Sequence, residues 1–324
     1  MCTAISISNG DHYFGRTLDL EYSLNESIVI TPRYFPFNFK HEKTIEDHYA
    51  IIGTAIICDN YPLYYDAINE VGLGMAGLKF TPPTNHFEPK AELHNIETFE
   101  LIPWVLSTCE NVEQARTKID QTCILSNNFN EQFSAAPLHW IISDKTTSIT
   151  IEMSSDGIKI YDNPIGVLTN DPSFEYQMTN LNNYINLTAY PPQNRFYKNV
   201  KLTAYSKGMG AIGLPGDVSS VSRFVRVAFT KLNSICEQNG QENISQFFHI
   251  LDTVAQVRGC VRLEDEKYEI TVYTSCYNAD KGICYYTTYN NRQISAVDMH
   301  KENLNSDMLL SYKMNKEQFV FQQN

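Results

Sequence analysis

The chain has 324 residues, of which 43% are hydrophobic and 19% charged, a composition typical of a globular protein. Its formal net charge of -12 gives an acidic surface that repels phosphate backbones, which argues against nucleic-acid binding. The N-terminus lacks the basic and apolar regions of a secretory signal, and no apolar run is long enough to cross a bilayer. We therefore expect a cytoplasmic protein with no membrane partner.

Strands dominate the predicted order of elements. Alternating apolar residues predict strands over 4–8 and 12–16, and the Asn9-Gly10 pair between them is typical of a two-residue hairpin loop. The same alternation predicts the remaining strands, at 27–31, 49–57, 139–142, 148–153, 269–277, 282–289 and 293–299.

Helical spacing is confined to fewer segments, which are 98–107, 112–121, 219–232 and 244–257. Serines suited to capping begin the third segment, and Gly259 is predicted to end the fourth. Strands come first, helices lie between them and strands return, without a linker-like stretch or a repeat. This order predicts one α+β domain with layered sheets over residues 1–324.

Two glycine-rich stretches, 72–77 and 208–213, match the G-x-G-x-x-G pattern of dinucleotide sites. Such a site needs a helix that opens at the glycines, and prolines follow both stretches too closely for one. We interpret both as structural turns, and we predict no cofactor.

The histidines and cysteines give no metal pattern. No H-x-x-x-H or C-x-x-C spacing occurs, and His139 and His249 are expected to be ordinary residues of a strand and a helix, so we predict no metal. Seven of the eight cysteines are expected to be free in a reducing compartment, most of them buried.

Cys2 is the exception, because a residue this small permits removal of the initiator Met1. Removal would leave Cys2 with a thiol and an α-amine whose pKa of about 7.7–8.0 allows it to accept a proton near neutral pH. One residue would then supply both nucleophile and general base. The alternative is that Cys2 is simply the first residue of an edge strand.

The predicted hairpin supplies partners for Cys2. With a two-residue loop the paired residue numbers sum to nineteen, so Cys2 faces Thr17, and Asp19 lies on the same face, where a carboxylate would orient the amine. Arg16 would lie on the opposite face unless a bulge at Gly15 turned it toward the thiol. An arginine beside Cys2 would favour the thiolate.

Motifs along the whole chain support this interpretation. They are Met-Cys-Thr at 1–3, Phe-Gly-Arg-Thr-Leu-Asp at 14–19, Ile-Gly-Val-Leu-Thr-Asn at 165–170, Leu-Pro-Gly-Asp at 214–217, Ser-Arg-Phe-Val-Arg at 222–226, Tyr-Thr-Ser-Cys-Tyr at 273–277 and Asp-Met-His-Lys-Glu-Asn-Leu at 298–304. Together they resemble the choloylglycine hydrolases, which include bile salt hydrolases and penicillin V acylases. The resemblance implies the N-terminal nucleophile hydrolase fold, a four-layer αββα sandwich of two antiparallel sheets between helical layers. It also implies a homotetramer.

The resemblance assigns roles by position. Cys2 matches the nucleophile, and Arg16 and Asp19 match the arginine and aspartate beside it. Asn170 matches the asparagine whose amide donates to the oxyanion, and Arg223 matches a second active-site arginine. The implied reaction is transfer of an acyl group from an amide to water through a thioester on Cys2.

Lys79 departs from the family pattern. It follows the Gly-Leu-Gly-Met-Ala-Gly-Leu stretch, where bile salt hydrolases usually have Asn and some penicillin acylases have Tyr. The backbone N–H of Lys79 would still serve as the second oxyanion donor. Its ammonium group would either attract the anionic end of a conjugate or point into solvent.

The substrate is less closely specified than the chemistry. By resemblance, the wall of the acyl pocket would be formed by Leu18, Tyr22, Cys58, Tyr65, Phe129, Phe133 and Leu138. The first hypothesis is a hydrolase of glycine- or taurine-conjugated bile salts. The alternatives are a penicillin V or N-acyl-homoserine-lactone acylase with the same chemistry and, more remotely, an inactive sterol-binding homologue.

Overall fold

A computed structural model describes residues 1–81, 87–155, 157–236 and 240–324. Its strands are β1 (Cys2–Asn9), β2 (Asp11–Leu20), β3 (Ser27–Thr31), β4 (Ile51–Cys58), β5 (Tyr61–Asn69), β6 (Gly74–Lys79), β7 (His94–Glu97), β8 (Thr122–Leu125), β9 (Leu138–Ser143), β10 (Ser148–Ser154), β11 (Gly157–Asp162), β12 (Val167–Leu168), β13 (Ile270–Asn278), β14 (Ile283–Thr288), β15 (Ser295–Asp298) and β16 (Leu310–Lys313). Its helices are α1 (Leu101–Leu106), α2 (Val112–Asp120), α3 (Phe174–Asn180), α4 (Ser220–Asn233) and α5 (Gly240–Asp252).

Two antiparallel sheets form the centre of the fold. Sheet A has six strands in the order β12-β1-β2-β13-β14-β15, and sheet B has eight in the order β11-β10-β9-β6-β5-β4-β3-β16. Most strands of both sheets are buried on both faces, and several of them carry buried polar side chains such as those of Arg16, Asp19 and Asp66. A separate parallel pair joins β7 to β8.

The layers follow the order α, β, β, α. Helices α4 and α5 pack on sheet A, while α1 and α2 pack on sheet B. An inner core fills the space between the sheets and under α4 and α5. An outer core, which includes Trp104 and Trp140, fills the space between sheet B and its helices. The predicted four-layer sandwich is confirmed.

Most predicted elements form. The strands at 2–9, 27–31 and 51–58, the β9–β10 hairpin and the late β13–β14 pair all lie within two residues of their predicted bounds, whereas β2 runs to Leu20, four residues past its predicted end. Ser219 caps α4 as predicted, since its side chain accepts a hydrogen bond from Ser222 N. Neither glycine motif opens an α-helix: the first runs from a turn into β6, and the second contains a 3₁₀ turn at Met209–Ala211.

The predicted register of the first hairpin is wrong by one residue. Asn9 pairs with Asp11 and only Gly10 lies between them, so paired numbers sum to twenty and Cys2 faces Leu18. Gly10 makes this tight turn with a φ of +73°, a conformation that glycine adopts without a steric penalty.

This slip exchanges the two faces of the hairpin, because side chains alternate along a strand. Arg16 pairs with Ala4 and therefore shares with Cys2 the face toward sheet B. Asp19 lies with Thr3 on the other face, toward α4. The prediction placed Asp19 on the face of the Cys2 side chain and Arg16 on the opposite face, and it is wrong on both.

The prediction that the last helix would run to residue 257 and end near Gly259 is also wrong. Helix α5 ends at Asp252, and the following chain bonds to sheet A, where Gln256 N donates to Thr271 Oγ1 and Thr271 N donates to Gln256 O. Pairing with Thr271 draws the chain out of the helix before the glycine is reached. Among the described residues, no helix combines the length and hydrophobicity needed to span a membrane.

The bulge at Gly15 that would have turned Arg16 toward the thiol does not form, since β1 and β2 pair through Gly15 without interruption. Gly15 instead allows a close approach, because a Cβ there would lie 2.1 Å from Ser275 O on β13.

We expect Gly15→Ala to lower the free energy of unfolding by about 1–3 kcal/mol, the usual cost of overpacking a core. Chemical denaturation of both variants and of the wild-type chain measures this change in the free energy of unfolding. Gly216→Ala is the matched control, because a Cβ at Gly216 meets no atom within 4 Å. Equal stability of the two variants would contradict the close approach at Gly15.

Candidate active site

Cys2 is 4% exposed and is the first residue of β1. Strand β1 is not an edge strand, because β2 lies on one side and β12 on the other. However, β12 covers only Ala4 and Ile5, so the Cys2 end of β1 extends past it. That open position is occupied by Asn170, two residues beyond the end of β12.

Asn170 links the two strands that carry Cys2 and Lys79. Its Oδ1 accepts a hydrogen bond from Cys2 N at 2.8 Å, and its Nδ2 donates to Lys79 O at 2.7 Å. The backbone of Asn170 is held in turn, since its N–H donates to Ser220 Oγ at the start of α4. Among the described residues, Lys79 O is the one acceptor that Nδ2 meets.

Arg223 reaches the same group from α4, where it is fully buried. Its guanidinium donates to Cys2 O at 2.5 Å, to Thr3 Oγ1 at 2.6 Å and to Asn170 Oδ1 at 2.8 Å. Burial lowers the pKa of Arg223, and the negative charge of Asp19 opposes this effect. These contacts fix the backbone of Cys2 and orient the Asn170 amide.

Arg16 approaches the Cys2 side chain from the space between the sheets. It is 1% exposed, and its Nη1 donates to Gly77 O and Tyr65 O on two neighbouring strands of sheet B, while its Nε donates to Thr17 O. Burial acts to lower the pKa of Arg16, but negative charge at Cys2 and other nearby groups outweighs burial and raises it. The guanidinium therefore stays charged on the face of sheet A that carries Cys2.

Asp66 provides a buried countercharge to Arg16. The residue is fully buried on β5 and accepts hydrogen bonds from Tyr273, from Ser275 at 2.7 Å and from Tyr277 at 2.8 Å, all on β13. Burial raises the pKa of Asp66, and the charge of Arg16 opposes that rise. Ser275 Oγ also accepts a hydrogen bond from Arg16 N, which ties the two residues together.

Asp19 lies on the helix side of sheet A. Its carboxylate accepts hydrogen bonds from Thr271 Oγ1 at 2.7 Å and Thr17 Oγ1 at 3.2 Å. Burial raises the pKa of Asp19, and Arg223 opposes that effect. The ammonium of Met1 bonds to Asp19 O at 2.8 Å and to Glu269 Oε2 at 2.9 Å, so both residues surround the N-terminus.

Lys79 ends β6 with its side chain exposed. Phe80 N donates to Pro137 O, so the backbone N–H of Phe80 points toward the β9 edge of β6. Consecutive residues of a strand direct their backbone N–H and C=O groups to opposite edges, so those of Lys79 point away from β9. The carbonyl of Lys79 accepts from Asn170 there, and its N–H points the same way.

The predicted pocket residues fall into two groups. Leu18 pairs with Cys2, and Tyr65 and Tyr22 lie near them, since charges at Cys2, Arg16 and Tyr22 act on the Tyr65 hydroxyl. The two tyrosines differ in exposure. Burial is the main cause that raises the pKa of the Tyr65 hydroxyl, and the Tyr22 side chain is 53% exposed.

The second group lies around the chain between β8 and β9. Asn130 donates to Cys58 Sγ at 3.4 Å, and Phe129 N donates to Phe133 O. The ring of Phe129 packs edge-on against Phe99, and Phe129 and Leu138 are both partly buried against the outer core. The role of all seven residues in binding an acyl group stays a prediction.

Two residues near the site were not found from the sequence. Glu269 precedes β13 and reaches the N-terminus over a long sequence separation, which no local pattern records. Asp66 had a local signal, because a lone carboxylate in the apolar run of β5 marks a buried polar position. Within the described residues, no three His, Cys, Asp or Glu side chains are arranged to hold a metal ion, and all eight cysteines are free.

Residues 2–312 match the linear amide C–N hydrolases, choloylglycine hydrolase family. A bile salt hydrolase/transferase of Lactiplantibacillus plantarum is 49% identical over 317 residues, which cover 98% of this chain and 98% of the relative. The structure of a mutant conjugated bile acid hydrolase from Clostridium perfringens gives a TM-score of 0.91 at 39% identity, over all of both chains. Penicillin V acylase from Agrobacterium tumefaciens shares the fold alone, with a TM-score of 0.75 at 17% identity over 96% of this chain and 90% of that one.

The electrostatic interaction between Arg16 and Cys2 gives a test of the thiol. We expect Arg16→Met to slow alkylation of Cys2 by iodoacetamide at neutral pH about tenfold, because the variant lacks the positive charge that would support a nucleophilic sulfur. Arg16→Lys, which keeps the positive charge, should slow the alkylation of Cys2 less than Arg16→Met does. Peptide mapping measures the rate, and the exposed Cys260 in the same chain is the internal control. Unchanged alkylation of Cys2 in Arg16→Met would contradict this role.

Proposed function

We propose that this chain, which belongs to the choloylglycine hydrolase family, hydrolyses the amide bond of glycine- or taurine-conjugated bile salts with Cys2 as its nucleophile. The main support is the geometry of Cys2, whose backbone is held by Asn170 and Arg223 and whose side chain shares a face with Arg16. Two similar proteins, at 49% and 40% identity over 98% of this chain, are each called bile salt hydrolase/transferase.

The active form requires removal of Met1. In the chain that retains Met1, Cys2 N is a peptide nitrogen and cannot act as a base. Removal makes it an α-amine that already faces Asn170 Oδ1, the atom 2.8 Å away. Removal also frees Asp19 O and Glu269 of their bonds to the Met1 ammonium, so both become available to the new terminus.

The first step is attack of the Cys2 thiolate on the amide carbonyl. Arg16 stabilises the thiolate from within the sandwich, where a guanidinium interacts more strongly than in water. A Cys2 Sγ–carbon bond forms, and the carbonyl oxygen takes the negative charge. The second hydrogen of Asn170 Nδ2 and the N–H of Lys79, whose carbonyl accepts from the same amide, would donate to this oxyanion.

The second step expels the amine. The α-ammonium of Cys2 gives a proton to the departing nitrogen of glycine or taurine as the carbon–nitrogen bond breaks, which leaves a thioester on Cys2. The neutral α-amine then takes a proton from water, whose oxygen attacks the thioester. The bile acid leaves and the thiolate is restored, so one residue serves as nucleophile, base and acid.

The acyl group would lie against the Leu18, Tyr65 and Tyr22 side of Cys2. Leu18 supplies an apolar surface directly opposite the nucleophile, and Tyr65 is half-buried beside it. Apolar surface with few polar groups suits the steroid of a bile salt. The ammonium of Lys79, which is exposed at the end of β6, would meet the anionic glycine or taurine end from solvent.

Hydrolysis of a substrate panel tests this function. We expect release of glycine from glycocholate or of taurine from taurocholate to exceed cleavage of penicillin V and of an acyl homoserine lactone. Cys2→Ala should abolish release, and intact mass should show the loss of one methionine. Faster cleavage of penicillin V than of both bile salts, or turnover by Cys2→Ala, would contradict the proposal.

We further propose a cytoplasmic homotetramer. The eight unpaired cysteines suit a reducing compartment. The segment 185–212 contains little regular structure and exposes several large apolar side chains, which mark a surface for a second copy of this chain. The most exposed are Ile185 at 79%, Tyr190 at 78%, Phe196 at 86% and Tyr205 at 88%.

Light scattering after size exclusion tests the assembly. We expect the wild-type chain to have about four times the mass of a monomer, and Phe196→Glu with Tyr205→Glu to give smaller species, because charges at a buried contact are costly. Tyr34→Glu, at another exposed tyrosine, is the control and should leave the mass unchanged. A monomeric wild-type chain would contradict the tetramer.

A further inference from the structure

A buried histidine–glutamate pair lies behind the proposed oxyanion donors. His139 Nδ1 on β9 lies 3.2 Å from Glu152 Oε1 on β10, and the side chains are 1% and 3% exposed. One proton must lie between these atoms, because a bare nitrogen and a carboxylate oxygen would both be acceptors. A buried pair of this kind adds little stability, so its anchoring points are more informative than its energy.

His139 fixes the chain just before Asn170. Its Nε2 donates to Thr169 O at 3.0 Å, and a backbone carbonyl can only accept. Thr169 also interacts with Ser220, the residue whose hydroxyl accepts from Asn170 N. The imidazole therefore determines where the Asn170 side chain leaves the backbone.

Glu152 fixes the chain just after Asn170. The same Oε1 that meets His139 accepts a hydrogen bond from Phe174 N at 2.8 Å, at the start of α3. The two members of the pair thus hold Asn170 from both sides, His139 through Thr169 O and Glu152 through Phe174 N–H.

The imidazole also contacts the segment of the second donor. The ring of Phe80 stacks on His139 with centroids 4.6 Å apart and an angle of 7° between the planes. Phe80 directly follows Lys79, and Leu78 on its other side pairs with His139 across β6 and β9. One side chain therefore touches both segments whose N–H groups would bind the oxyanion.

We propose that His139 and Glu152 are positioning residues that set the distance between the Asn170 amide and the Lys79 N–H. This inference rests on the proposed function, because it concerns the oxyanion site of that reaction. Neither side chain touches the reacting atoms. They act through Thr169, Phe174 and Phe80.

Substitutions that separate the two contacts of His139 test the proposal on the full, Met1-processed chain. His139→Phe keeps a ring against Phe80 and removes both hydrogen bonds, and we expect kcat for glycocholate to fall about 10- to 100-fold, since small misplacements of a donor have effects of this size. KM should change less than about twofold, because substrate binding does not need the oxyanion donors. His139→Gln, whose amide nitrogen can replace Nε2, should recover most of kcat.

The single variant leaves Glu152 buried without its partner, which could destabilise the fold. The double variant His139→Phe/Glu152→Leu leaves no unpaired buried charge and therefore distinguishes a loss of positioning from misfolding. It should lose kcat as the single variant does. Alkylation of Cys2 by iodoacetamide should stay within about twofold of wild type in all variants, since that reaction forms no oxyanion. His48→Gln is the matched control, because His48 is also buried and bonded at both ring nitrogens, to Phe35 O and Tyr49 O.

The outcomes separate the two proposals. Unchanged kcat in the double variant would overturn the positioning role while leaving the function intact. Parallel losses of turnover and of Cys2 alkylation would also overturn it, because they indicate damage to the nucleophile or the fold. A wild-type chain that hydrolyses no substrate of the panel would overturn both.

Discussion

The buried guanidinium of Arg16 is the constraint on which the site depends. A charge removed from water costs several kcal/mol unless it is compensated by hydrogen bonds and an opposite charge. Arg16 obtains acceptors from Thr17 O, Tyr65 O and Gly77 O, and the carboxylate of Asp66 lies nearby as countercharge. These acceptors belong to both sheets, so the sandwich must close around this side chain.

That requirement shapes sheet B. Strands β5 and β6 pair from Ile68↔Gly74 to Asp66↔Ala76 and no further, and β5 has an irregular register against β4 at the same place. Beyond Ala76 the carbonyl of Gly77 turns to Arg16 instead of to β5. The backbone of Lys79 is consequently free of β5 and faces Asn170. The same separation of the two strands accommodates the cation and leaves the proposed oxyanion donors unpaired with β5.

The limits of prediction from sequence follow from which contacts are local. Alternation and capping are local, so the hairpin, the strand pairs and the Ser219 cap were predictable. The register of the first hairpin depends on one glycine with a positive φ. Consecutive residues of both strands are buried, so a one-residue loop and a two-residue loop would bury almost the same side chains, and the sequence pattern does not distinguish them. Asn170 and Arg223 come from segments far from Cys2 in the chain, and only the family resemblance brought them together before the fold was known.

Lys79 has separate roles for its backbone and its side chain. The position contributes its backbone to the site, through a carbonyl that accepts from Asn170 and an N–H on the same edge of β6. Its side chain alternates to the other face of the sheet, where it is exposed and shares that face with Leu138. The position of the proposed donor is therefore set by the backbone of β6, and the lysine side chain adds a positive charge on the exposed face, away from that backbone edge.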